Sequence, residues 1–436
     1  MNALSHPRTG DRSFLFLQGM ASQFFGCLAQ ALHRRGHAVH RINFNAGDRL
    51  FWPLPGAADF RGRAEQWPGF LTGALAAHKV TDIILFGDCR PLHQAAIRLA
   101  RRLHVTVHVC EEGYIRPHWV TFERDGVNGH SSLPRDPAWY REVEALLPPL
   151  GPPPSVPSSF WQRARQDLLY NAAAIALSPL YPHYQTHRPR HRLVEYGGWS
   201  WKMLRRPRAR RRAAAQAARL APGAPFFLLP LQLNCDTQIR LHSDFGSMAP
   251  VIATILSSFA QDAPTDALLV VKEHPLDDGL VNWRRMVARL AGELGVADRV
   301  AYLEVGDIDG LIARTRGVVN VNSTTGTLAL AAGVPVITLG NAIYDIAGLT
   351  HQGGLAGFWS APQPPDAALF EAFRKVIASR CLLVGGFFSE AGIRQLVANA
   401  VERLETQAAG HPVHLSPATM AGWRLGAPQA AAAMPT

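Results

Sequence analysis

Two stretches of the chain alternate short apolar runs with segments whose apolar residues recur at helical spacing. In the first stretch the pattern predicts four strands and two helices, over Ser13–Leu17, Ala38–Phe44, Asp82–Phe86, Val105–Cys110, Phe24–Arg35 and His93–Leu103. The second stretch begins at Pro225 and repeats the alternation as far as a last strand, Pro335–Thr338. Strands that alternate with helices are typical of open parallel sheets. We therefore predict an α/β fold.

The two stretches predict two doubly wound, Rossmann-like lobes facing a cleft, which is a GT-B-like architecture. A proline-rich break, Pro148–Pro157, and a basic run, Trp201–Arg212, lie between them. We predict an N-terminal lobe over 1–195, a basic linker over 196–222 and a C-terminal lobe over 223–384. A C-terminal helix over 385–405 and a loose Ala/Pro-rich tail over 406–436 follow. Ligands of open α/β sheets bind at the carboxyl ends of the strands.

Charge is unevenly distributed along the 436 residues. Lys and Arg total 44 against 33 acids, which gives a net charge of +11 and indicates an anionic partner. Much of the surplus lies in one run: Trp201, Lys202, Arg205, Arg206, Arg208, Arg210, Arg211 and Arg212. This run is open to two interpretations, a solvated linker or a contact with an anionic membrane surface. No nucleic-acid motif accompanies it, so we expect no nucleic acid partner.

The apolar stretches and the cysteines indicate the cellular compartment. No apolar stretch approaches the roughly 20 residues of a spanning helix, and no signal peptide is apparent at the N-terminus. The five cysteines are far apart and form no CxxC pair, which indicates reduced thiols and argues against zinc. We expect a cytoplasmic protein.

In the first lobe, the segment Cys110–Ser132 carries the strongest candidate chemistry. Glu111 and Glu112 come where a predicted strand ends, and a carboxyl at such a place is suited to proton transfer. The alternative is that one glutamate pairs with Arg116 to fix the loop. Gln18 and Gly19 follow the first strand, and a glycine turn there can receive an anionic or hydroxyl-rich ligand.

The second lobe places polar groups after three predicted strands. They are Gln232 and Asp236, then Lys272 and His274, then Ser323 and Thr324. Each group has a structural alternative: Asp236 as a turn cap, His274 as a buried imidazole and Ser323 as a helix N-cap. Their recurrence at successive strand ends of one sheet favours a shared ligand site.

Four motifs together, EEGYIRPHWVTFERDGVNGHS, QLNCDTQI, KEHP and NSTTG, resemble the capsule polysaccharide biosynthesis/export family of the KpsS/LipB type. The resemblance spans about residues 13–400. It implies a β-Kdo transferase that takes Kdo from CMP-β-Kdo and places it on a phosphatidylglycerol species. The N-terminal lobe would then serve the acceptor, and the C-terminal lobe would bind the CMP-sugar.

Matched by motif, the resemblance implies that Asp236 is the nucleophile of a retaining mechanism and that Glu111 is the general acid/base, with Glu112 less favoured. His274, Ser323 and Thr324 would contact the CMP phosphate. By charge alone, Lys272 and Arg116 could neutralise that phosphate or the Kdo carboxylate. No DxD-type motif stands at a suitable strand end and CMP carries a single phosphate, so we expect neither metal nor cofactor.

The acceptor lipid implies an enzyme that associates peripherally with the inner membrane, and other capsule-assembly proteins are possible partners. Two alternatives stay open. One is another CMP-sugar or nucleotide-sugar GT-B transferase, and the other is a non-catalytic capsule export adaptor.

Overall fold

In the computed structural model, residues 12–151, 155–186, 192–218, 224–234 and 237–406 are described. They divide into two compact units. Unit 1 comprises the described residues of 12–133, 146–186 and 375–406, and unit 2 comprises those of 134–145 and 192–374. The predicted lobe boundaries at 195 and 384 differ from this division.

The described residues form twelve strands in two sheets. In chain order they are β1 (Ser13–Phe16), β2 (Ala38–Asn43), β3 (Ala58–Asp59), β4 (Asp82–Phe86), β5 (Thr106–Glu112), β6 (Trp119–Arg124), β7 (Phe226–Pro230), β8 (Leu268–Lys272), β9 (Val300–Leu303), β10 (Gly317–Asn320), β11 (Val336–Thr338) and β12 (Leu382–Val384).

Fifteen α-helices accompany these strands over the same described ranges. They are α1 (Phe24–Arg34), α2 (Ala46–Leu50), α3 (Trp67–Ala77), α4 (Pro91–Arg102), α5 (Pro137–Ala145), α6 (Phe160–Ala176), α7 (Arg192–Ala218), α8 (Thr237–Arg240), α9 (Met248–Asp262), α10 (Trp283–Glu293), α11 (Ile308–Ile312), α12 (Thr324–Ala331), α13 (Gly354–Ser360), α14 (Ala367–Arg380) and α15 (Glu390–Glu405). Among the described residues, no helix has the length and apolarity that crossing a membrane requires.

The sheet of unit 1 has the order β12-β6-β5-β4-β1-β2-β3. It is parallel from β5 to β3, whereas β6 and β12 are antiparallel additions at one edge. Phe16 of β1, Phe24 of α1, Phe122 of β6 and Leu396 of α15 share one buried core. This packing of α15 and the pairing of β12 bring the C-terminal segment into unit 1.

The sheet of unit 2 is wholly parallel, with the order β11-β10-β7-β8-β9. Its strands are buried along nearly their whole length, as expected of a parallel sheet covered on both faces. Phe227 and Val271 pack with Ile255 and Phe259 of α9 and with Trp359 of α13.

The α/β class with two parallel-sheet, Rossmann-like units is confirmed. The described part of the predicted basic linker over 196–222 is helical, because 192–218 form helix α7. Two small residues, Ala209 and Ala213, are buried on α7, and the helix packs beside β9. The dense arginines of this segment conceal that narrow apolar side from a search for helical periodicity.

Candidate functional site

The two adjacent glutamates of β5 have different environments. Successive strand residues point to opposite faces of a sheet, so Glu111 and Glu112 cannot share one role. Glu112 forms ion pairs with Arg116 (2.8 Å) and Arg163 (3.1 Å). Glu111 accepts a hydrogen bond of 2.7 Å from Nδ2 of Asn128. The loop-fixing alternative therefore applies to Glu112 and Arg116, and Glu111 remains the candidate acid/base.

The turn from β5 into β6 requires glycine at position 113. A Cβ on Gly113 would collide with the backbone carbonyl oxygen of Trp119. After β6 the chain turns back through Asn128, whose φ of 55° lies in the left-handed region that Asn tolerates. This return brings the Asn128 side chain to Glu111. Asn128 was not identified from the sequence, because this contact depends on how the loop folds back.

A buried carboxyl group stabilises the same loop. Glu123 of β6 accepts hydrogen bonds from the hydroxyls of Tyr114 and Ser131. The pKa of Glu123 is raised above its ordinary value because burial disfavours the charged form, and these hydrogen bonds offset only part of that shift. The backbone N–H of Asn128 donates to the Tyr114 hydroxyl at 2.6 Å. The long first-lobe motif thus folds into one hydrogen-bonded hairpin and loop.

The end of β4 carries a second acid, Asp88, which is buried. Its carboxylate accepts from the backbone N–H of Val127 at 3.0 Å and lies 3.0 Å from Nδ1 of His130. These hydrogen bonds hold the pKa of Asp88 below its ordinary value despite desolvation, which acts in the opposite direction. The hydrogen bond to Asp88 raises the pKa of His130. His130 is a candidate that the sequence-based prediction missed, although its motif contains it.

We expect His130 to titrate with a midpoint above the ordinary value of 6.5. Since the folded-state pKa is raised, the stabilisation from this pair is complete below about 6.5 and is lost as the pH rises through the folded-state value. Asp88→Asn should lower the midpoint, as followed by imidazole NMR. Asp125→Asn, whose own side chain forms no hydrogen bond in the described part, is the control. An unchanged midpoint in Asp88→Asn would contradict the pairing.

The predicted pair Gln18 and Gly19 follows β1 in unit 1. Gln18 is buried, and its side-chain nitrogen lies 3.0 Å from the hydroxyls of both Tyr170 and Tyr184. The Gly19 carbonyl accepts from Arg90 at 3.0 Å. Gln18 also lines a cavity of about 470 Å³ with Arg90. A ligand role for Gln18 and Gly19 stays a prediction.

In unit 2, the ends of the neighbouring strands β7 and β10 are tied together. The side-chain amide of Gln232 donates to Oδ1 of Asn322 at 3.0 Å and accepts from the Asn322 backbone N–H at 3.2 Å. Both residues are buried. The reciprocal pair fixes the backbone that leads into Ser323, so Gln232 positions the neighbouring loop.

Ser323 is the N-cap of α12, as one of the two sequence interpretations predicted. Its hydroxyl accepts from the Thr325 N–H at 3.1 Å, and its own N–H donates to Asn320 at 2.9 Å. Tyr344 donates to the Ser323 carbonyl at 2.6 Å. A Cβ on Gly326 would collide with the Tyr344 hydroxyl, so this close approach needs glycine. Ser323 and Thr324 thus lie at a helix N-terminus, where anions are favoured.

Lys272 ends β8 and is buried. Its ammonium donates to the Glu273 carbonyl at 2.8 Å, and desolvation lowers its pKa. The Glu273 carboxylate pairs with Lys202 at 2.7 Å and accepts from Tyr302 at 2.6 Å. The acid beside Lys272 is therefore already engaged by another cation. A buried ammonium in this position is suited to neutralising an anionic ligand.

The imidazole of His274 is not the buried structural group of the alternative interpretation, because it is partly exposed. Its Nδ1 accepts the Leu276 N–H at 3.0 Å, so the proton of the neutral ring is on Nε2. The remaining predicted residue of this unit, Asp236, lies outside the described residues. Its role as nucleophile stays a prediction.

The comparison that decides the family is a match of residues 81–388 to the model described as capsule polysaccharide biosynthesis protein. The chain belongs to the capsule polysaccharide biosynthesis family. The resemblance inferred from the four motifs is thereby confirmed. The matched residues include the β5–β6 hairpin and every predicted residue of unit 2, whereas Gln18 and Gly19 precede them.

Named members of this capsule polysaccharide biosynthesis family are similar over most of the chain. The capsule polysaccharide modification protein LipB of Neisseria meningitidis serogroup B is 34% identical over 396 residues, 89% of this chain and 94% of the relative. The capsule polysaccharide export protein KpsS of Escherichia coli is 34% identical over 378 residues, 86% of this chain and 96% of the relative.

Among solved structures, the β-Kdo 2,7 transferase of KpsC from Thermosulfurimonas dismutans is 12% identical, with a TM-score of 0.43. The match covers 90% of this chain and 99% of the other.

Proposed function

We propose that this member of the capsule polysaccharide biosynthesis family is a retaining β-Kdo glycosyltransferase. It transfers Kdo from CMP-β-Kdo to a phosphatidylglycerol or lysophosphatidylglycerol acceptor and so starts the capsular polysaccharide linker. The observation that carries the proposal is the row of polar groups at the carboxyl ends of β10, β7 and β8, where Ser323, Gln232 and Lys272 follow neighbouring parallel strands. That edge is where open α/β sheets bind ligands.

The single phosphate of CMP suits these groups. The positive end of the α12 dipole favours an anion. The Ser323 hydroxyl, which donates to Oγ1 of Thr325 at 3.2 Å in the free protein, can turn to a phosphate oxygen there. Lys272, the last residue of β8, carries a positive charge. The Nε2 N–H of His274 is a hydrogen-bond donor. In the proposed chemistry the donor is a substrate, and neither metal nor cofactor takes part.

Net retention follows from two inversions. The Asp236 carboxylate attacks the anomeric carbon of Kdo as its bond to the CMP phosphate breaks, and CMP leaves with the bonding electrons. The acceptor hydroxyl then attacks that carbon while Glu111 removes its proton, and the bond to Asp236 breaks. The hydrogen bond from Asn128 orients the Glu111 carboxylate in the free protein.

His274→Ala and Ser323→Ala should each weaken CMP binding by about 10-fold or more, since a hydrogen bond to a charged group contributes about 1.5–3 kcal/mol. Calorimetric titration with CMP measures the change. Ser159→Ala is the matched control, because Ser159 also caps a helix, α6, but in unit 1. Unchanged affinity in both variants would show that the nucleotide does not bind at this edge of unit 2.

The proposed acceptor is a lipid, so we also propose that the protein works in the cytoplasm and associates peripherally with an anionic membrane. The basic side chains of α7 support this. Lys202 pairs with Glu273, Arg212 pairs with Glu304, and Arg205 lies over the Trp201 ring at 4.1 Å. The rest of the run is exposed along the helix and gives it its cationic surface: Arg206, Arg208, Arg210 and Arg211.

A further inference from the structure

Helix α6 of unit 1 buries polar residues and exposes apolar ones. A surface helix ordinarily turns its apolar side inward and its polar side to water. In α6 the buried residues are Gln166 and Asn171, and the Tyr170 hydroxyl donates to buried Asp48 at 2.9 Å. The exposed positions at helical spacing, here called the outer side of α6, are Trp161, Ala164, Arg165, Leu168, Leu169, Ala172 and Ala176.

The outer side of α6 is largely uncovered by the described residues. Trp161 is 80% exposed, Leu168 59% and Leu169 50%. Phe160, Leu177 and Leu180 extend the patch at the two ends of the helix. Six of the 19 exposed large apolar side chains of the described residues therefore lie within this one segment. Contiguous exposed apolar surface of this kind indicates a binding face.

The charged side chains beside the patch indicate the chemistry of the partner that binds there. Arg165 is the one charged residue on the outer side of α6 as described above. It lines a groove of about 770 Å³ that also contains Arg34 and Arg394, with Phe388 and Val397 forming apolar walls. Arg394 pairs with Glu390, but within the described ranges no acid pairs with Arg34 or Arg165. The combination of apolar side chains, cations and a terminal tryptophan complements an anionic lipid interface.

We propose that the outer side of α6 is a membrane-docking surface, which inserts its apolar residues into the interface of a bilayer containing anionic phospholipid. Arg34 and Arg165 bind lipid phosphates beside it. A second copy of the chain fits less well, since a two-fold contact through this face would bring Arg165 and the cationic groove against their own counterparts. The inference deepens the proposed membrane partner and does not depend on transferase activity.

Vesicle sedimentation tests the surface with the full chain. The test variant W161Q/L168Q/L169Q should bind phosphatidylglycerol-containing vesicles about 10-fold or more weakly than the parent, because lost apolar insertion weakens interfacial binding. The matched control is L50Q/L103Q/L146Q, which changes three exposed leucines elsewhere in unit 1 and should bind within about 2-fold of the parent. Vesicles of phosphatidylcholine alone should bind the parent more weakly than the anionic ones do.

The variant R34Q/R165Q should lose part of the salt-sensitive binding to the anionic vesicles. The proposal is overturned if the test variant binds as the parent does. It is also overturned if the parent sediments as a dimer without lipid and the test variant sediments as a monomer. Transfer to a short-chain, water-soluble acceptor should be equal in parent and test variant. Its absence in both would count against the proposed function and not against this surface.

Discussion

Replacing Asp236 with Asn is expected to reduce Kdo transfer by about 10³-fold or more and to leave the fold intact. The substitution keeps the shape of the side chain and removes the negative charge that attack on the anomeric carbon requires. The measurement is turnover with CMP-Kdo generated in situ, with circular dichroism as the check on folding. Asp236 comes four residues after Gln232 in the sequence, in the motif QLNCDTQI.

Asp244→Asn is the matched control for this variant. Asp244 is a nearby acid in the same unit, is exposed, and makes no side-chain hydrogen bond among the described residues. Its replacement should leave turnover within about 2-fold, as surface substitutions usually do. Near-normal turnover in Asp236→Asn would rule out the retaining mechanism proposed here.

Glu111→Gln should lower turnover by about 10²–10⁴-fold, the range typical of a removed general acid/base. Gln can still accept the hydrogen bond from Asn128, so the local structure should persist. Because Glu111 acts only in the second step, the covalent sugar should accumulate on the protein. Intact-protein mass spectrometry should then show an addition of one Kdo.

The neighbouring glutamate offers the control within the same strand. Glu112→Gln removes a half-exposed carboxylate that is paired with Arg116 and Arg163, and exposed pairs contribute little to stability. Its turnover should stay within a few-fold of the parent. If Glu112→Gln is the more damaging change, the assignment of the two roles is reversed.

The parallel strands other than the two-residue β3 could be predicted because each is a short apolar run between turn residues. β6 was harder, since WVTFER lies inside the motif that first suggested chemistry, and its antiparallel pairing depends on the turn at Gly113. β12 is three residues long and pairs with a strand far away in sequence, which no local pattern predicts. Helix α7 was concealed by its arginines.

The candidate site divides in the same way. Residues at strand ends, such as Glu111, Lys272 and Ser323, could be identified from the sequence because strand ends are recognisable there. Their partners could not be, because the contacts of Asn128 with Glu111 and of His130 with Asp88 depend on how a loop folds back. The outer side of α6 could not be predicted either, because the sequence does not show that Gln166 is buried and Trp161 is exposed.

The most direct test of the proposed function is incubation of the protein with CMP-Kdo, generated in situ, and a fluorescent phosphatidylglycerol or lysophosphatidylglycerol analogue. Mass spectrometry of the lipid product is the readout, and NMR of the isolated product gives the anomeric configuration. We expect an increment of one or more Kdo units, β-linked to the glycerol headgroup. An unmodified lipid in the presence of a folded, CMP-binding protein, or an α-linked product, would contradict it.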